Sequence, residues 1–499
     1  MIARPGQWPI SGVQPAPRAH EGNLPLLDHP ADTLLPALHA IVGDRGLLTA
    51  PSDTAPYCED WRRLYHGRTP AVVRPGATEE VAAVVRLCAA RGVPVVPQGG
   101  NTGMVGGATP SADGTQVVLS LSRMTRIRGA DPLDMTLTIE AGAPWRAAQD
   151  AAAAAGCLLP LSIGSEGTAQ VGGILSANAG GNNTLRYGNA RDLVLGLEAV
   201  LPDGQVLHGL RSLRKDNTGY SLRHLLVGAE GTLGVITAAV LKLAPRPRET
   251  EVALVAVPSS GAASALCRRF LAHDPAAVQA FEYMSGPGLA LVLRHIPGTA
   301  LPLGAPAPHY VLVELATPRP DAGLRDAMEA VLEQAMADDL VLDAVLADSG
   351  AQRAALWRLR EEHSESQKRA GANVKNDVSV PTSRVPDLIL QATAACEALI
   401  PGIRAVPFGH LGDGNIHFNL VRPESWADDA FLARSHDIMD AVNAVVAGLG
   451  GSFSAEHGVG LLKPYLMPGW RGGAELDAMR RIKAALDPQG IMNPGKLLP

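Results

Sequence analysis

Three histidines and the acid Glu456 fall in two glycine-bounded segments near the C-terminus. Phe408-Gly-His-Leu-Gly-Asp-Gly-Asn-Ile-His-Phe-Asn-Leu420 sets His410 and His417 on either side of a polar turn, and Ser454-Ala-Glu-His-Gly-Val-Gly460 adds Glu456 and His457. Two imidazoles and one carboxylate make a common divalent-metal set that leaves coordination positions open. His410, His417 and Glu456 are therefore candidate ligands. Zinc, manganese and iron all accept such donors, with zinc the first expectation. His457, next to a ligand yet free to point inward, is a candidate general base. His417 and Asn419 alternate with Ile416, Phe418 and Leu420, and that period of two sets His417 and Asn419 on one strand face. Any one of these histidines alone would more often be an ordinary core or surface residue. The combined pattern GHxGDGNxHxN with EHG downstream carries the signal.

A second chemistry is written in glycine. The chain holds 53 glycines, above the usual share of about 7%, and they cluster in Pro97-Gln-Gly-Gly-Asn-Thr-Gly-Met-Val-Gly-Gly107, in Gly164-Ser-Glu-Gly-Thr-Ala-Gln-Val-Gly-Gly-Ile174 with Asn178-Ala-Gly-Gly-Asn-Asn183, and in Gly228-Ala-Glu-Gly-Thr-Leu-Gly234. A pyrophosphate needs backbone N–H groups at close range, and glycine permits both the approach and positive φ. One such loop reads most simply as a tight turn. Three in one region, interleaved with Ser, Thr and Asn donors, read as an anion cradle. There is no GxxxxGK[ST], and no GxGxxG placed between a strand and a helix with an acid about twenty residues on, so ATP and nicotinamide sites are disfavoured.

Over residues 66–246 these segments resemble the FAD-binding domain of the vanillyl-alcohol oxidase and p-cresol methylhydroxylase (PCMH) superfamily. The histidine pattern with its downstream EHG resembles the C-terminal domain of FAD-linked D-2-hydroxyglutarate and D-lactate dehydrogenases. The resemblance implies that Pro97, Gln98, Gly99, Gly100, Asn101, Thr102 and Gly103 hold the FAD pyrophosphate. It places Gly164, Ser165, Thr168, Gly172, Asn178, Gly180 and Gly181 along the flavin and its phosphates, and Glu230, Gly234 and Ile236 toward the adenine. The first loop has no histidine for a covalent link, so the FAD is expected to be non-covalent. In Leu356-Trp-Arg-Leu-Arg-Glu361 and Val374-Lys-Asn-Asp-Val378, Arg360 and Lys375 match the family's substrate-binding cations. Arg360 can grip a carboxylate bidentately and Lys375 adds a second charge. Ser364 stands where the hydroxyglutarate enzymes often have threonine, and Asn419 would help orient the acid. In the tail, Asp487-Pro-Gln-Gly-Ile-Met-Asn-Pro-Gly-Lys496 implies that Asn493 and Lys496 approach the flavin. The expected activity is oxidation of a small D-2-hydroxy acid, D-2-hydroxyglutarate first, with D-lactate or glycolate as the alternative. A non-catalytic flavin-binding subunit would be expected to lack the metal and base set. A metal-dependent hydrolase would leave the glycine segments unexplained. An electron-transfer flavoprotein or a quinone would take the electrons, and a homodimer is a family-level expectation.

The elements that must position these residues follow from patterning. Residues 1–65 read as a proline-rich lead-in with one helix near Pro36 to Asp44. Residues 66–246 read as one α+β domain: a strand at AVVRPG, a helix capped by Thr78 and stopped by Gly92, a strand over Val93 to Pro97, and β-rich runs in QVVLSLS, MTLTIEAG, LVLGLEAVLPDGQVL and GVITAAVLKLAP. Residues 249–455 read as an antiparallel substrate and metal domain with strands at Glu251 to Pro258, YVLVELA, AVPFGH and NIHFNL. Residues 456–499 read as a small helical segment returning to the flavin. The fold class is thus α+β, with a PCMH-type domain joined to an antiparallel-sheet cap. Net charge −6 gives no support to nucleic-acid binding. Five cysteines without a CxxC pair suggest neither a disulfide framework nor an iron-sulfur relay. No apolar run is long enough to span a membrane, and the first residues lack a secretory core, so a cytoplasmic protein, loosely membrane-associated at most, is expected.

Overall fold

The computed structural model describes residues 31–499. What the sequence suggests for residues 1–30 lies outside the described residues. The first helix runs Ala31–Val42 rather than from Pro36, because Leu34, Leu38 and Val42 form one buried stripe at a spacing of four. Gly43 at φ 64 ends it before Asp44. A second helix, Pro51–Cys58, occupies the segment expected to be irregular.

Val72–Val73, Val117–Ser120 and Val95–Gln98 pair in parallel, with Leu47–Leu48 antiparallel at the edge. These are short, almost wholly buried valine-rich runs, as parallel strands require. The helix Thr78–Arg91 joins two of them and turns Val81, Val84, Val85 and Cys88 inward. Gly92 stops it in the left-handed region. Thr78 is not the cap: that position is Ala77, and the Thr78 hydroxyl donates instead to buried Glu198 at 2.7 Å. A five-stranded antiparallel sheet follows in the order Ile127–Asp131, Thr136–Glu140, Val235–Lys242, Val194–Val200, Val206–Gly209. Its inner residues share one core with the parallel sheet.

The second half is built on a seven-stranded antiparallel sheet. Its order is Asp343–Leu346, Glu249–Val257, His309–Thr317, Val278–Ser285, Phe408–His410, Asn415–His417, Asp377–Ser379. Period-two alternation divides its side chains between two cores. Ala253, Val255 and Val257 face one, and Val252, Leu254 and Ala256 the other. Helices Ser260–His273, Leu324–Ala337, Val385–Leu399 and Ser435–Gly448 cover the first face, and Gly286–His295 with Gly350–Glu361 the second. AVPFGH and NIHFNL, expected as single strands, are each broken. Arg404–Ala405 and Leu420–Val421 join Asn373–Val374 in a separate small sheet. Pro407 interrupts the first segment. Two successive three-residue turns, Phe418 N–H to Ile416 O at 3.0 Å and Asn419 N–H to His417 O at 2.9 Å, break the second. Asn419 therefore does not share a strand face with His417.

The tail returns to the first sheet. Met492 bridges Val95 in parallel, and Asn493 N–H reaches Val95 O at 2.8 Å. The helix Ala474–Leu486 splits its apolar face, with Leu476 and Met479 in a small local cluster and Ile482 and Leu486 against the first core.

Candidate active site

A hairpin fixes the two candidate ligand histidines. Phe408–His410 and Asn415–His417 pair antiparallel around the turn Leu411–Asp413, closed by Gly414 at φ 85. A Cβ on Gly414 would lie 2.1 Å from Val380 O, so only glycine fits there. The loop after Gly451 then brings Glu456 and His457 over the hairpin. Donor atoms of His410, His417 and Glu456 all lie within 4.8 Å of one another, a span that one cation can bridge. His410 Nε2 is 3.2 Å from Glu456 Oε1, and its Nδ1 is 2.8 Å from Glu282 Oε1. A second carboxylate on the far nitrogen of a ligand histidine is what orients it toward a metal. The donor set fits a divalent cation.

Asp377, His417 and His457 form a second such trio. Here the carboxylate is already taken. Its Oδ2 accepts the backbone N–H groups of Ala455, Glu456 and His457 at 3.2, 2.9 and 2.8 Å, and its Oδ1 accepts Asn415 Nδ2 at 3.0 Å. The first trio is therefore the better cation site.

Charge is tightly balanced around these groups. Burial acts to lower the His410 pKa, but the carboxylates of Glu282 and Glu456 outweigh it and hold the pKa well above its usual value. Burial acts to raise Glu282, yet His410 and Arg360 hold it at about 2. Burial pushes His417 down to about 4, against the pull of Glu456 and Asp377. It also lowers His457, with Asp377 opposing. A neutral imidazole at His457 is a competent proton acceptor.

The sequence-predicted substrate residues are placed unequally. Arg360 is buried above the Phe408 ring at 4.8 Å and donates Nε to Glu282 at 2.7 Å, while its Nη2 finds no partner among the described residues. Lys375 lies between the strands Asn373–Val374 and Asp377–Ser379. Burial first, then the charges of Arg62 and Lys368, push its ammonium down to about 8. Asn419 is buried, and its amide is engaged by Gln367 at 2.8 Å and by the N–H of Asn376 at 3.2 Å. Ser364 is exposed.

The glycine segments converge on the same place. The N–H groups of Gly99, Gly100, Asn101, Thr102 and Gly103 reach no backbone carbonyl among the described residues. Asn101 and Asn178 hold positive φ of 53 and 49. A Cβ on Gly100 would stand 2.0 Å from Thr168 O, and one on Gly172 2.9 Å from Ala141 Cβ, so the first loop seats directly on the second. A Cβ on Gly103 or Gly164 would meet nothing within 4 Å, leaving open space beside the free donors. Pro97 packs on Gly231 in the third segment, where Gly234 at φ 153 crosses close to Val200 O. Gly181 crosses Ser162 O, while Ser165 O accepts the N–H groups of Thr168 and Ala169. Ile236 is buried in the first core. Glu230 accepts from the N–H groups of Val459 and Gly460 at 2.8 and 2.7 Å, clamping the C-terminal loop. Asn493 donates to Gly107 O and Glu230 O at 2.9 and 2.7 Å, and its Oδ1 is buried without a partner. Lys496 is buried, and burial pushes its ammonium down to about 8. Free N–H donors around open space and a desolvated lysine fit an anionic, phosphorylated cofactor. The cradle meets the histidine cluster at Gly180, where a Cβ would lie 3.2 Å from Glu456 Oε1.

Two residues central to this geometry escaped sequence reasoning. Glu282 is the one charged residue in the wholly buried strand Val278–Ser285, which was its only signal. Asp377 sits two residues after Lys375, inside a segment already singled out.

Comparison with known proteins agrees with this geometry. Residues 69–209 match the FAD binding domain family, and residues 246–497 match the C-terminal domain of FAD linked oxidases. A D-2-hydroxyglutarate dehydrogenase of Xanthomonas citri pv. viticola is 38% identical over 90% of this chain and 94% of its own. The mitochondrial D-2-hydroxyglutarate dehydrogenase of Bos taurus is 39% identical over 93% of this chain and 83% of its own. A structure of p-cresol methylhydroxylase with substrate bound superposes with TM-score 0.73 over 94% of this chain and 97% of that one, at 15% identity, a likeness of fold. With the cradle, both domain matches and these relatives in agreement, the chain belongs to the FAD-linked D-2-hydroxyacid dehydrogenases.

Proposed function

We propose that the chain oxidises a small D-2-hydroxy acid, D-2-hydroxyglutarate first, to the 2-oxo acid, using non-covalent FAD and a divalent cation, zinc in the first instance. Residues 66–246 hold the flavin, residues 249–455 hold the acid and the cation, and the segment after 455 closes the two together. The observation that carries the reading is the approach of Gly180 to Glu456, which puts a glycine of the cradle against a carboxylate of the ligand set. The names of the two relatives support the five-carbon dicarboxylate.

When bound, FAD supplies a hydride acceptor and the cation, held by His410, His417 and Glu456, supplies a Lewis acid. His457 takes the hydroxyl proton at Nε2, since its Nδ1 faces Asp377 Oδ2 at 3.7 Å. Arg360 offers its unpaired Nη2 to a carboxylate, and Lys375 adds the second positive charge. Asn419 and the Ser364 hydroxyl orient the acid. The electrons leave to an electron-transfer flavoprotein or a quinone. The five cysteines are all free and scattered, which supports an acceptor outside this chain. No helix among the described residues is long and apolar enough to cross a membrane, in keeping with a cytoplasmic site of action or one at a membrane surface.

The test is His457→Asn. Flavin reduction by D-2-hydroxyglutarate should fall by about 10²- to 10⁴-fold with bound FAD and metal unchanged. Undiminished reduction, or loss of the flavin itself, would remove His457 from the role of base.

A further inference from the structure

We propose that Asp377 is a positioning residue: it locks the loop carrying Glu456 and His457 onto the strand carrying His417, and so sets the base and the ligand set together. The inference rests on the roles just proposed for those residues. Asp377 is the register partner of His417 in the neighbouring strand. Its side chain is 1% exposed, with one oxygen toward each imidazole: Oδ1 is 3.6 Å from His417 Nδ1 and Oδ2 is 3.7 Å from His457 Nδ1. Both rings therefore turn Nε2 away from it.

An ordinary buried carboxylate would be neutralised by a cation in contact. The adjacent buried lysine, Lys463, donates instead to Phe453 O at 2.9 Å. Asp377 is satisfied by three consecutive N–H groups, from Ala455 to His457, and by Asn415. Successive backbone N–H groups aimed at one oxygen form an anion nest. Loop and carboxylate thus depend on each other, because without the carboxylate the nest loses its acceptor. Ser379 and Ser452 pair through both backbone bonds, at 3.1 and 2.7 Å, and bring the loop to Asp377 from the same edge.

The test uses the full-length flavoprotein with Asp377→Asn, which keeps the shape and exchanges one acceptor oxygen for a donor. Bound zinc should be lost to a chelator about 10- to 100-fold faster. Flavin reduction at saturating D-2-hydroxyglutarate should fall by at least about 100-fold, with KM moved by less than about threefold. In the His457→Asn background, assayed with zinc in excess so that the ligand set stays filled, the same change should cost less than about twofold in reduction rate, because the base it positions is gone. Asn415→Ala, which removes the donor to Oδ1, should move both readouts the same way by less. It carries the test should Asp377→Asn fail to fold. Unchanged zinc retention together with a wild-type reduction rate overturns the inference. So does a rate loss of equal size in both backgrounds, the mark of a purely architectural residue. An active His457→Asn enzyme, or a wild type that holds no divalent metal, would instead strike the proposed function first.

Discussion

The charge of Lys375 can be switched at mildly alkaline pH. Burial and the neighbouring cations hold its ammonium at about 8, so the charged form dominates below that pH and is lost as pH rises through it. A charge-assisted contact is worth about 1.5–3 kcal/mol. KM for the acid should therefore rise about tenfold or more between about pH 7 and 9.5, while kcat changes less. Lys375→Arg keeps its charge throughout and should flatten that rise; an identical profile in the variant would take Lys375 out of substrate binding. At this scale the clustering of His410, His417, Glu456 and His457 was legible because a run of glycines around polar residues marks a candidate site. Their supports were not. Glu282 contacts His410 from 128 residues away, and nothing local in Phe281-Glu282-Tyr283 says which histidine it will meet.

Among the elements, the glycine loops make the sharpest demand. Because a Cβ on Gly100 would stand 2.0 Å from Thr168 O, Gly100→Ala must push the first loop off the second. The expected product is a folded protein with little bound FAD, read from the ratio of flavin to protein absorbance. Full flavin occupancy would show that the loops need not touch. Most strands were legible from apolar runs and alternation, yet three kinds of information were missing. The strand Ile127–Asp131 is exposed along its whole length, so it carries no apolar pattern. NIHFNL alternates as a strand should, but tight turns at Phe418 and Asn419 send its two halves to different sheets. Thr78 has the chemistry of a cap, and a buried Glu198 120 residues away claimed its hydroxyl instead.

For the whole molecule, the decisive feature is where the C-terminal loop threads. Glu456 lies beside Gly180, Gly458 beside Glu230 and Gly460 close to Val105 O, so the stretch from Glu456 to Gly460 reaches all three glycine segments. The cradle and the histidine cluster consequently lie side by side, brought together from both halves of the chain by the α+β fold with its antiparallel cap. Sequence patterning located both halves separately, and only the folded chain joins them. The most direct measurement is anaerobic bleaching of the bound flavin by D-2-hydroxyglutarate, before and after treatment with a chelator. Rapid bleaching that chelation abolishes and zinc restores is the predicted result; bound flavin that the acid leaves oxidised, or bleaching indifferent to the chelator, would contradict a site shared by flavin and metal.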